Sequence, residues 1–337
     1  MRLGSNPMQQ TKTRHDAYHR IIVPVFVPDL ETEYFQNGLE VTKYCLESLV
    51  KTRHSKSFLT VVNNGSCKQV TAYLQELYDN KQLDQLVHYR ENVGKIDAML
   101  PIARTAEEPL ITLTDGDVLF KQGWMQAVEE VYVNFPEAGM VSPVPHGTTF
   151  ANFTVNTLFD AFFKGLLKFQ NVCNPIDLMR FAESIGKEDT MYSKKSRLES
   201  QLTVNRKEAS AVVGCGHFVA TLRREVFDHA PKKWSHWAYA SEADRKYVDK
   251  PNEVAGFWRL ATTGNFAYHM GNSTTSWMQD VFENLEANTD RISKIPNASR
   301  NYISFGIKKV WVRAMMSQYF RKYFFKRWGL KTKLDEY

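Results

Sequence analysis

Residues 109–120, PLITLTDGDVLF, decide how this chain is read. The first half is apolar and β-branched, as suits a strand covered on both faces. Two aspartates flanking one glycine follow at once: Asp115, Gly116 and Asp117. Alternate residues of an extended segment project to one side, and a glycine between them admits close approach of a backbone or a ligand. Two carboxylates so placed are able to share a divalent cation of the Mg2+ or Mn2+ kind, which takes oxygen ligands and keeps substrate phosphates as co-ligands. A solvated Asp-Gly turn uses the same letters, so the surroundings have to decide.

The surroundings are rhythmic. Residues 20–28 (RIIVPVFVP), 57–66, 83–91, 109–115 and 138–146 read as strands. Residues 39–52, 67–80, 94–106 and 123–135 between them show apolar spacing near that of a helix. This alternation predicts an α/β fold: a Rossmann-like, mostly parallel sheet with helices on both faces. Ligands of such sheets bind outside the carboxyl ends of the strands. The loops to inspect are therefore 27–29, 63–66, 92–95 and 115–117. Asn63 and Asn64 offer amides to a base or ribose, and Gly94 with Lys95 offers a turn backbone and a cation to phosphates. Pro24, ahead of Val25 and Phe26, frees an edge of the first strand.

The rhythm breaks after residue 146. Residues 156–170 read as one amphipathic helix and 186–210 as polar loop, so 147–210 is expected to be a helical insertion. Strand character returns at 211–230 and 256–272, around an acidic segment at 241–250. Residues 277–305 read as polar linker, and a helical tail closes the chain. The expected organisation is a mobile N-terminus (1–19), a catalytic domain (20–272, with halves 20–146 and 211–272 around the insertion), and a linker with tail (273–337).

Composition narrows the class. The 337 residues are 43% hydrophobic and 24% charged, ordinary for a globular protein and unlike a disordered or fibrous one. The net charge of +6 is unevenly spread: residues 307–333 hold nine Lys and Arg and no acid, so the remainder is mildly acidic. Cys45, Cys67, Cys173 and Cys215 form no CxxC pair, which argues against a structural zinc site or a disulfide framework and for a reducing, cytoplasmic setting. Neither a signal peptide nor a membrane span is expected. The tail interleaves Trp311, Tyr319, Phe320, Tyr323, Phe324, Phe325 and Trp328 with basic residues. It reads as a helix lying on an anionic membrane surface, on the inner face, with these rings at headgroup level. A helix packed on the body, or a nucleic-acid surface, would use similar letters; no nucleic acid is expected.

Taken in order, IIVPVF, VVNNGS, ENVGKIDAM and LTDGDV resemble glycosyltransferase family 2 with its GT-A fold, over about 20–272. The resemblance implies a metal-dependent, inverting transfer of a sugar from a nucleotide-diphosphate sugar to an acceptor hydroxyl of a glycan or a lipid-linked acceptor. It implies that Asp115 and Asp117, with Gly116 between them, meet the nucleotide and a Mn2+ or Mg2+ ion, with His269 of AYHMGN as a third metal-side residue. GHFVATLRREVF resembles the acceptor-side segment and brings in Gly216. The catalytic base is implied to lie in SEAD, at Asp244 or Glu242; Ser241 as a helix cap with acids in the first turn would account for the same letters. Trp258 and Arg259 are implied to meet sugar and phosphate, a core tryptophan being the other reading. Asn63 stands where many members carry an aspartate, which leaves the base open. A nucleotidyltransferase and a non-catalytic nucleotide-binding or membrane-scaffold protein remain as alternatives.

Overall fold

The computed structural model describes residues 4–5, 8, 16–238, 241–287 and 291–332. The first half alternates as expected. Strands β1 (His19–Val25), β2 (Ser57–Asn64), β3 (Gln85–Tyr89) and β4 (Leu110–Thr114) are joined by helices α1 (Gly38–Thr52), α2 (Lys68–Asp79) and α3 (Lys95–Thr105). All four strands are parallel. Side chains alternate across them, as a period of two requires. Ile21, Val23, Leu59 and Val61 join Leu46 of α1 and Leu74 of α2 in one core. Ile22, Val62, Ile111 and Leu113 join Ile96, Met99 and Ala103 of α3 in the other. Each such Val, Leu, Ile or Met side chain stabilises the fold by about 1.5–3 kcal/mol when fully buried.

After the aspartates come β5 (Val118–Phe120), α4 (Trp124–Asn134) and β6 (Ala138–Ser142). The middle of the chain holds α5 (Val155–Phe163), β7 (Leu167–Gln170), three helices, α6 (Pro175–Ser184), α7 (Glu188–Met191) and α8 (Ser196–Glu199), then β8 (Gln201–Arg206) and β9 (Ala209–Val213). β10 (Val219–Arg223) leads through a 3-10 turn to α9 (Ser241–Asp244), a π turn (Arg245–Asp249) and α10 (Lys250–Val254). β11 (Trp258–Ala261), β12 (Ala267–His269), α11 (Ser276–Glu283), α12 (Phe305–Met315) and α13 (Gln318–Arg327) complete the described chain. Ten strands form one sheet in the order β3-β2-β1-β4-β10-β6-β11-β9-β8-β7, and β5 pairs with β12 apart from it. β10 enters antiparallel between β4 and β6, so the sheet is parallel on the β1 side and mixed beyond.

Four expectations need correction. Residues 156–170 are not one helix: α5 ends at Phe163, and residues 167–170 are strand. The stretch 186–210 is not loop: it holds two short helices and the β8–β9 hairpin, which extends the main sheet. The expected linker 277–305 begins with α11, whose Met278 is buried. His19 belongs to β1 and is buried, so a mobile segment 1–19 cannot reach it; most of that segment lies outside the described residues.

The tail packs on the body. Lys308 is buried and its ammonium lies 3.2 Å from Asp160 of α5. Val312, Met315, Phe325, Trp328 and Leu330 enter the core. The Phe169 N–H of β7 donates to the Trp328 carbonyl at 2.7 Å. Phe325 and Trp328 are thus buried, which overturns their expected place at headgroup level. Among the described residues, no helix is long and apolar enough to cross a membrane.

Candidate active site

The carboxyl ends of β1, β2 and β4 open into a chamber of about 450 Å³. Pro24, Val25 and Phe26 form one wall, Asn64 and Asn92 another, and Asp115, Gly116 and Asp117 lie at its base with Lys95. Gly116 is there because nothing larger fits: a Cβ would come 2.9 Å from the Pro24 carbonyl oxygen, a backbone atom. The turn after β2 is tied by its own side chains. The Ser66 N–H donates to Asn63 Oδ1 (2.9 Å), and the Ser66 hydroxyl donates to the Val25 carbonyl (3.1 Å). Asn64 donates to Asn92 Oδ1 (2.9 Å) and accepts from the Val93 N–H. Asn63 is a correction: its amide is spent on Thr71, His88 and Ser66, and it lines no chamber.

β5 and β12 place the third member of the acidic site. Their pairing sets His269 opposite Val118, and the Met270 N–H donates to the Asp117 carbonyl at 2.8 Å. His269 Nε2 then lies 3.5 Å from Asp117 Oδ2, while its Nδ1 lies 3.1 Å from the Ser184 hydroxyl. One ligand atom from each of Asp115, Asp117 and His269 falls within 4.8 Å of the others. Asp117 Oδ1 is buried and has no hydrogen-bond partner. Burial raises the Asp117 carboxyl above the usual range, His269 opposing and Asp115 adding to the rise. Clustered oxygen donors, an imidazole and an orphaned carboxylate oxygen fit a divalent cation.

Lys95 is the hinge between this chamber and a second one of about 730 Å³. Its ammonium lies 2.5 Å from Asp115 Oδ1 and 3.1 Å from Asp244 Oδ1. Burial would lower the Lys95 pKa, but Asp115 and Asp244 together hold it above the ordinary value. Asp244 is raised by burial, against the pull of Lys95 and His217. Asp97 on α3 organises this junction, accepting from the Ser235 N–H (2.8 Å) and the His236 N–H (3.0 Å). That folds residues 235–238 over the start of α3, where a Cβ on Gly94 would meet the Trp237 carbonyl. Gly94 therefore serves this loop closure and lines neither chamber.

A π turn shapes the far wall of the second chamber. Its i→i+5 bonding, seen in the Lys250 N–H to the Arg245 carbonyl, brings residues five apart to one side. Asp244 and Asp249 consequently both face His217, at 3.8 Å and 3.2 Å. Asp249 also meets Arg259 at 2.9 Å. Burial would raise Asp249, but Arg259 and His217 hold it below the usual carboxylate range. Gly216 and Arg259 line this chamber, as does Asp244. Glu242 is exposed and lines neither chamber. Trp258 is a correction: its ring is fully buried and its indole N–H donates to Asp160 at 3.0 Å, so it has no face to offer a sugar. His217 and Asp249 were missed from sequence. His217 adjoins Gly216 in a quoted segment, which was the available signal.

The chain belongs to glycosyl transferase family 2, whose family model matches residues 34–230. Among solved structures it is similar to the mannosyltransferase PcManGT from Pyrobaculum calidifontis in complex with GDP-Man and Mn2+, at 16% identity and a TM-score of 0.41. The likeness covers 74% of this chain and 55% of that one, so the chain spans about half the neighbour's length. It is also similar to S. aureus TarS 1-349 in complex with UDP-GlcNAc, at 15% identity and a TM-score of 0.30, over 37% of this chain and 33% of that one. No curated protein matches the chain.

Proposed function

We propose that the chain transfers a sugar from a nucleotide-diphosphate sugar to an acceptor hydroxyl with inversion at the anomeric carbon. The observation that carries this reading is the Asp115–Lys95–Asp244 bridge, in which one ammonium joins the base of the smaller chamber to a carboxylate of the larger. The smaller chamber takes the nucleoside diphosphate, and the larger takes the acceptor, a glycan or a lipid-linked one. Asp115, Asp117 and His269 would hold Mn2+ or Mg2+, which when bound neutralises charge on a departing diphosphate. Lys95 places a fixed cation at the same junction.

Asp244 accepts the proton of the acceptor hydroxyl. The hydroxyl oxygen forms the new bond to the anomeric carbon from the face opposite the nucleotide, whose diphosphate leaves with the electrons of the broken C–O bond. A base must reach the proton it removes, and Asp244 lies in the chamber where Glu242 does not. His217, oriented by Asp249, faces the other Asp244 oxygen.

Thermal unfolding with nucleoside diphosphates, with and without Mn2+, tests the donor side. A ligand at a hundred times its Kd stabilises by about 2.7 kcal/mol. The Mn2+-dependent part should vanish in Asp117→Ala, and its survival there would end the metal assignment. Asp244→Asn should keep donor binding and lose transfer; loss in Glu242→Gln with retention in Asp244→Asn would move the base to Glu242.

A further inference from the structure

The two tail helices and α5 build one aromatic surface. The rings of Phe163 and Trp311 lie 5.1 Å apart, Trp311 and Phe162 4.4 Å, and Phe162 and Phe324 5.0 Å. Phe324 continues the chain of contacts to Tyr323 at 5.3 Å and Phe320 at 6.4 Å. The inner rings are partly covered, but Phe163 is 62% exposed, Phe320 56% and Tyr323 58%. A contiguous uncovered patch of this kind marks a surface that meets an apolar partner.

The charge on the two tail helices is of one sign. Lys309, Arg313, Lys322, Lys326 and Arg327 are exposed on the same two helices. Among the described residues none of the five has an ion pair with an acid, whereas Lys308 and Lys164 nearby are spent on Asp160 and Glu137.

We propose that this surface docks on an anionic lipid bilayer. Aromatic rings at headgroup depth, ringed by Lys and Arg, are what an interfacial attachment to anionic lipid requires. A second copy of the chain fits poorly, because a two-fold contact would set these cations against one another. Single-stranded nucleic acid would stack its bases on open ring faces, and an oligonucleotide arm of the test separates it. The placement also serves acceptor delivery. α5 has the wall of the larger chamber just before its first residue and Phe163 at its end, about 13 Å along a helix of nine residues. The surface stands apart from the transfer chemistry, and Asp117→Ala should bind vesicles as the native chain does.

The test is flotation of the full chain with vesicles of phosphatidylcholine alone and with about one third phosphatidylglycerol. Binding is expected only to the anionic vesicles and should weaken with salt. Lys322→Gln/Lys326→Gln/Arg327→Gln should bind on the order of 100-fold more weakly, at about fivefold per charge. Phe320→Ser/Tyr323→Ser should also bind more weakly, with its unfolding midpoint unchanged because both side chains are exposed. Absence of binding, equal binding to neutral vesicles, or undiminished binding by both variants would overturn the proposal. Tighter retention of an oligonucleotide than of vesicles, or a concentration-dependent dimer lost in these variants, would overturn it too.

Discussion

Replacing Lys308 by methionine tests whether the tail is part of the body. The Lys308 ammonium is buried against Asp160 Oδ1 at 3.2 Å and also reaches Asn156 Oδ1 (3.2 Å). Methionine keeps the stem but leaves Asp160 charged and buried. Removing one partner of a buried pair costs about 3–5 kcal/mol. Asp160 would keep donors from the Trp258 indole at 3.0 Å and Asn301 Nδ2 at 2.8 Å, so the lower end, about 3 kcal/mol, is expected. At ~2.1 cal/mol/K per residue, the unfolding entropy of this chain converts that to a fall in Tm of about 4 °C. Lys308→Met/Asp160→Asn should recover at least half, because the stranded charge is gone. Scanning calorimetry of the three chains decides. An unchanged Tm in Lys308→Met would refute the docked, charge-paired tail, and a loss the double variant does not recover would assign the effect to packing.

Gly116→Ala should lower kcat/KM by at least about tenfold and lower the Tm as well, since the added methyl forces aside a backbone carbonyl beside the donor chamber; normal steady-state rates would show that the chamber relaxes freely. Glu129 accepts from Tyr18 (2.8 Å), His19 (3.0 Å) and His54 (2.9 Å). Burial would raise its pKa, but His19 and His54 hold it down at about 2. A depressed carboxyl contributes stability above its unfolded pKa and loses it as the pH falls to the folded value, so on the order of 2 kcal/mol should disappear between about pH 5 and pH 2. Glu129→Gln should flatten that part of the acid-unfolding curve, and an identical curve would refute the assignment. The acid limb of kcat/KM should lie above the ordinary carboxylate range, where burial puts Asp244, and a limb within that range would refute the assignment.

The parallel half was legible because its strands carry unbroken β-branched runs and its helices keep one apolar face, so period and length agree. The acidic site was legible because strand order fixes where ligands bind before any side chain is placed. The β8–β9 hairpin was hidden because one buried face of β8 is polar, at Gln201 and Thr203, while Leu202 and Val204 enter the core. Thr203 donates to the Lys168 carbonyl and to Gln170 Oε1, and the Gln201 amide oxygen accepts from the Val172 and Cys173 N–H groups. Its turn is built on Lys207 at φ 53°, without the Asn-Gly that advertises such turns. Residues 156–170 looked like one helix because their apolar spacing continues past the turn where the Leu166 N–H closes on the Ala161 carbonyl. Trp258 misled because a tryptophan beside an arginine suggests a sugar platform, while strand alternation sends the two side chains to opposite faces. His217 and Asp249 lie far apart in sequence and meet only through the π turn.

The bond from Phe169 to the Trp328 carbonyl has a further consequence. β7 is the last strand of its sheet, and its outer side would otherwise present a row of free N–H and C=O groups on which another chain could add a strand. The end of α13 occupies that position, with Phe325 4.9 Å from Phe169. Cutting the chain before α12 would uncover a sticky template together with the rings the tail packs against, Phe159, Phe162 and Phe169. A truncated protein would then self-associate, and its lost activity would report polymerisation, not the loss of a membrane contact.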